Sequence, residues 1–157
     1  MLKNLLEKLP DIKLIIIGTG PEEQGMKKLS RELNVDNYVE FKGRMTNEEL
    51  SEIVSSSWLN IHSSVTEGWG LSIIEASASG TPTVAFNVPG VRDVIEDQIN
   101  GIKVKDGDRE ALLEAALEIL SNPKRWWYSS TEVAKKYSWE KTYEIWETLI
   151  QEFDRST

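Results

Sequence analysis

Cysteine is absent from the 157 residues and histidine occurs once, at position 62. Disulfides and thiolate chemistry are excluded, and a reducing compartment fits. One histidine without cysteine supplies no His/Cys metal cluster, and no Ser-His-Asp set is read around it. Positive charge is scarce too: 18 Lys and Arg stand against 26 Asp and Glu, a net charge of −8. Such an acidic surface argues against nucleic acid or anionic membrane as the main partner. It leaves room for a small phosphate ligand, because backbone N–H groups hold phosphate without a basic patch. No long apolar run is present. The opening "MLKNLLEKLPDIK" is charged and amphipathic, neither a signal peptide nor a membrane span. No internal repeat, low-complexity stretch or linker interrupts the chain.

What is there reads as one globular α/β domain over residues 1–157. A hydrophobic share of 39% beside 28% charged residues places the chain with folded rather than disordered proteins. Short β-branched runs alternate with helical patterns. "KLIII", ending at Gly18, reads as a buried strand; "YVEF", "WLNIH", "TVAF" and "GIKV" follow as strands. Between them lie helices at "PEEQGMKKLSRELNV", "TNEELSEIVSSS", "LSIIEASAS" and "GVRDVIED". Thr46 and Glu49 form a capping box. "DREALLEAALEILS" is a helix capped by Asp106 or Asp108, and two more helices close the chain, around 123–137 and 139–154. Alternation of this kind implies a Rossmann-like, doubly wound parallel sheet.

Ligands of such sheets bind at the carboxyl ends of the strands. "GTGPE", "KGRM" and "SSVTEGWG" leave those ends. In the last, Gly68 and Gly70 let backbone approach a ligand, and the helix beyond offers unpaired N–H donors suited to a diphosphate. Glu67 precedes this turn and Glu75 lies about one turn into the helix. Carboxylates do not hold phosphate; they accept hydrogen bonds from the hydroxyls of a ribose or a sugar. A lone glutamate on a helix is ordinarily a solvated surface residue. Glu75 differs in setting, as the only charge between Leu71 and Gly80, among small residues that imply close packing on both sides of the helix.

"EGWGLSIIEA", followed by "SGTPTVAF" and "VPG", resembles the signature of the retaining glycosyltransferases of family 4, whose core is Glu, seven residues, Glu. "LIIIGTGPE", "VEFKGRM", "NGIKV" and "YSWEKTYEIWETLI" stand in the matching order, so the resemblance covers nearly the whole chain. It implies the C-terminal, donor-binding half of a GT-B fold. Glu75 would then bind ribose hydroxyls, and Glu67, the catalytic-site carboxylate, would face the donor sugar. The amides of Gly68, Trp69, Gly70 and Leu71 would meet sugar and phosphate. Arg44 and Met45 would lie by the base, with Gly18 and Gly20 lining the same cleft. The donor, a nucleoside diphosphate sugar of the UDP type, is a substrate, and neither cofactor nor metal is implied. A polysaccharide or glycolipid product and a cytoplasmic site, at the membrane's inner face through the missing domain, follow from the same resemblance. The residues themselves leave sugar, base and acceptor open.

The departures matter as much. The family's strand ending in Gly-Arg and its later Lys-Gly have no counterpart here, nor does the N-terminal acceptor domain. The sheet is therefore expected to lack its first, central strand, beside those ending at Ile17 and His62. The chain alone is expected to be inactive, and unpaired surface predicts self-association. The alternative reading is a non-catalytic nucleotide-binding or interaction module, or one subunit of a split transferase. "GTGPEE" has glutamate where a dinucleotide fingerprint needs its third glycine, which counts against an NAD enzyme. "DGD" at 106–108 resembles the metal pair of GT-A enzymes, but its place before a helix makes it a turn and cap. His62, a tempting general base, is read as structural. Trp126, Trp127 and Tyr128 are read as anchors of the penultimate helix. Trp139, Tyr143, Trp146, Ile150 and Phe153 form a stripe on the last helix, either core packing or a surface for another domain.

Overall fold

The computed structural model describes residues 1–156. In order it contains α1 (Leu2–Leu6), β1 (Leu14–Ile17), α2 (Glu23–Glu32), β2 (Val39–Gly43), α3 (Asn47–Ser56), β3 (Asn60–His62), α4 (Leu71–Ala78), β4 (Thr83–Phe86), α5 (Val91–Val94), β5 (Gly101–Val104), α6 (Arg109–Ser121), α7 (Lys124–Ala134) and α8 (Trp139–Ser156). The chain divides into two compact units, Met1–Ile53 and the remainder from Val54.

In the first unit β1 and β2 run parallel, with Leu14 opposite Val39 and Ile16 opposite Phe41. They form a sheet of two strands, while β3, β4 and β5 form a separate one. The expectation of a buried β1 is corrected: its residues are half-buried and Ile15 is 36% exposed. Among the described residues β2 is the one strand paired with it. The capping box forms as read. Glu49 N–H donates to Thr46 Oγ1 at 3.2 Å, and Thr46 N–H donates to Glu49 Oε2 at 2.8 Å.

The second unit holds most of the core. Parallel β3–β4–β5 centres on β4, buried along its whole length. Around it Val84, Val91, Val94, Ile73, Ile102, Ile119 and Trp126 pack out of water. Asn100 is buried and fully used: its amide donates to Ser77 Oγ and to the Val94 carbonyl, both at 3.0 Å, and its oxygen accepts from Glu96 N–H at 2.8 Å. Of the two candidate caps of α6, Asp108 is the one used, accepting from Ala111 N–H at 2.9 Å.

One further expectation is corrected, and of the two readings of the α8 stripe the exposed one fits. Of the three aromatic anchors of α7 only Trp126 is buried; Trp127 is 42% and Tyr128 76% exposed. Consecutive helical positions turn by about 100°, so three in a row cannot all face one core. The α8 stripe does not pack as core: Trp139, Tyr143, Trp146 and Ile150 are 57–85% exposed.

Candidate functional site

Within the first unit the structure brings together the ends of adjacent parallel strands. Gly18 N–H donates to the Gly43 carbonyl at 2.7 Å, joining the loops that carry Gly18 and Gly20 on one side and Arg44 and Met45 on the other. Gly18 and Gly20 line a shallow cavity of about 200 Å³ with Ile16, Thr19, Glu23 and Met26. Arg44 is exposed and Met45 half-buried just past β2.

In the second unit the loop after β3 delivers Glu67, Gly68, Trp69 and Gly70 to the start of α4. Gly70 is the N-cap in the left-handed region (φ 64°), with no side-chain cap. The Ile73 and Ile74 N–H groups donate to the Gly70 carbonyl at 2.9 and 3.2 Å, which leaves those of Leu71 and Ser72 as the open donors of this turn. Leu71 and Glu75 are exposed on the same helix, with Ile73, Ala76 and Ser77 buried behind them. The expected close packing on both sides of α4 is thus corrected. Small residues seat one face of the helix, against α5, α7 and the sheet, while Leu71, Ser72, Glu75 and Ala78 are open.

Glu67 is held rather than free. Its Oε2 lies 3.1 Å from His62 Nε2, and its Oε1 accepts from Gly68 N–H at 3.2 Å. His62 Nδ1 is 3.4 Å from Ser72 Oγ. The loop is also braced from behind. The carbonyl of Glu67 sits so close to Gly90 that a Cβ there would stand 2.4 Å from it. Trp69 meets Tyr137 edge to face, ring centroids 5.4 Å apart, and Tyr137 donates its hydroxyl to the Asp93 carbonyl at 2.8 Å. Burial first, then the nearby Glu96 and Asp93, push the Tyr137 phenol above its ordinary pKa, which keeps it a donor.

Gly90 and Tyr137 were not among the candidate residues. "VPG" marks a turn but not its neighbour, and nothing in "KKYSWE" points back to Trp69. Gly68, by contrast, has no atom within 4 Å of where a Cβ would be. The protein itself does not require glycine there.

Residues 1–137 match the glycosyl transferases group 1 family. The chain belongs to that family. An uncharacterized glycosyltransferase of Haemophilus influenzae is 34% identical over 150 residues, 93% of this chain and 42% of that protein. Among solved structures, a variant of S. aureus TarM in complex with fondaparinux, alpha-GlcNAc-glycerol and UDP superposes with a TM-score of 0.78 at 28% identity, over 92% of this chain and 30% of that one. The GtfA/B complex superposes at 0.79 with 26% identity, over 95% and 31%. This glycosyltransferase chain thus spans less than half the length of these relatives. Its α/β fold corresponds to the C-terminal, Rossmann-like half of the GT-B architecture.

Proposed function

We propose that this chain is the donor-binding half of a retaining, family 4 type glycosyltransferase. The whole enzyme would move a sugar from a nucleoside diphosphate sugar to an acceptor hydroxyl. One observation carries the reading. Glu67 and Glu75 flank an uncapped helix start, beside a glycine whose missing side chain nothing in the protein needs. Uncapped N–H groups and the helix dipole suit a diphosphate, and the carboxylates suit the hydroxyls on either side of it. UDP in the TarM complex supports a uridine nucleotide as the carrier. Attack on the same face as the departing diphosphate needs no protein nucleophile. The residues' work is then positioning and stabilising charge on the leaving group. On this reading Glu75 takes the ribose, Glu67 faces the sugar with the Gly68 N–H holding its other oxygen, and the amides of Trp69 to Leu71 meet sugar and phosphate. The pure chain is expected to transfer no sugar, since acceptor binding falls to the remaining length.

Substitution separates the two carboxylates. Glu75→Gln keeps size and an acceptor but loses charge. A hydrogen bond to a charged group contributes about 1.5–3 kcal/mol against about 1 for a neutral one. UDP binding should weaken by roughly three- to thirtyfold. Glu67→Gln should leave UDP affinity nearly unchanged and erase any preference for nucleotide sugar over UDP. Calorimetry with both ligands checks this, and equal effects of the two variants on bare UDP would refute the division.

The exposed Trp139, Tyr143, Trp146 and Ile150 on α8 form a face that another domain or copy would cover. Self-association at micromolar concentration is the expected result in light scattering. A strict monomer throughout that range would count against it. No helix among the described residues is long and apolar enough to cross a membrane. A cytoplasmic enzyme meeting the inner membrane face through its other domain is the corresponding proposal, checked by fractionating cells that express the full-length protein.

A further inference from the structure

We propose that His62 is a positioning residue that fixes the carboxylate of Glu67, and that donor-sugar recognition depends on it. The inference rests on the donor reading above for its consequence, though not for its geometry. His62 ends β3, and its side chain is only 12% exposed, against 29% for Glu67. Carboxylate oxygens only accept, so at 3.1 Å the proton lies on Nε2 and is donated to Glu67 Oε2. Nδ1 is then the ring's acceptor, facing the Ser72 hydroxyl on the first turn of α4 at 3.4 Å. The ring ties the strand end, the loop carboxylate and the helix start together. Glu67 Oε1 meanwhile takes Gly68 N–H at 3.2 Å, so both oxygens are held and the carboxylate has one orientation.

A glutamate on an exposed loop would otherwise sample several rotamers, and ordering it on binding would cost affinity. His62 removes that cost beforehand. It acts on the sugar only through Glu67. It has no part in proton transfer.

The contact can be read without ligand. The chain has a single histidine, so one set of ring signals appears in 1H–15N spectra. The Nε2 proton should be visible in the wild type, lost to exchange in Glu67→Ala and kept in Ser72→Ala. An Nε2 proton unaffected by Glu67→Ala would overturn the proposal.

The consequence is read with UDP and UDP-glucose. Glutamine offers its amide nitrogen where Nε2 stood, whereas asparagine reaches only the Nδ1 position. His62→Gln should keep the preference for UDP-glucose over UDP within about twofold, and His62→Asn should lose roughly three- to tenfold of it. Affinity for bare UDP should be the same in both. Equal loss in the two variants, or none in His62→Asn, would also overturn the proposal. If His62→Asn does not fold, the ring proton decides between wild type and Glu67→Ala. A wild type with no preference for UDP-glucose would refute the donor reading instead. The ring proton would still decide whether His62 holds Glu67.

Discussion

Gly101→Ala should abolish cooperative folding of the second unit. Gly101 opens β5 directly opposite Thr83 of β4. A Cβ built on it stands 2.0 Å from the Thr83 carbonyl oxygen and 3.0 Å from its carbon. Neither partner can give way cheaply. β4 is the central strand, buried throughout and paired on both sides. Moving β5 outward would also pull on Asn100, whose carbonyl accepts from Thr83 N–H at 3.0 Å and whose side chain bridges Ser77, Val94 and Glu96. A backbone clash that also disrupts a buried hydrogen-bond network belongs with the exceptional substitutions, above about 4 kcal/mol. Domains of this size have about 5–15 kcal/mol in total. Urea titration followed by tryptophan fluorescence is the measurement. No cooperative transition is the expected result, and a midpoint near that of the wild type would sink the argument. Gly68→Ala is the control, because open space surrounds its Cβ position.

How much of this was legible beforehand depends on how local each cause is. The capping box at Thr46 and Glu49 and the turn-and-cap role of "DGD" follow from neighbours within one helical turn, and both appear in the structure. The alternation of strands and helices was legible for a similar reason, since periodicity is a property of each segment. The pairing of Glu67 with His62 was not. They stand five positions apart, but the loop must fold back before the side chains meet. Trp69 against Tyr137 and Gly101 against Thr83 need the tertiary register of elements far apart in sequence. The half-exposed β1 and the one-sided α4 were misread because apolar and small residues report what a segment can bury. They do not report whether a neighbour is there to bury it.

Gly90→Ala should strike the candidate site harder than the fold. Two constraints meet at Gly90. Its φ of 82° and ψ of −50° lie in a region that an ordinary residue rarely adopts, at a cost of about 1–3 kcal/mol. That Cβ would also stand 2.4 Å from the Glu67 carbonyl oxygen and 3.1 Å from that of Gly68. The loop lies at the surface, with Thr66, Gly68 and Trp69 exposed, so it can move where β4 cannot. Retreat of the loop relieves the clash, and the fold should survive with a loss of about 2–4 kcal/mol. The cost to function is larger. Glu67 would be carried away from His62, and Trp69 from its edge-to-face contact with Tyr137. The backbone amides ahead of α4 would no longer converge on one point. Displacements of about 1 Å in a positioning site can cost on the order of a hundredfold. Calorimetry should therefore find UDP-glucose binding weakened by tenfold or more, on the order of 1.4 kcal/mol or above, in a protein that still melts cooperatively. The His62 ring proton should be lost at the same time. Wild-type affinity with the ring proton retained would mean that the loop tolerates the intruding methyl. Gly90 would then be a turn residue with no hold on the site.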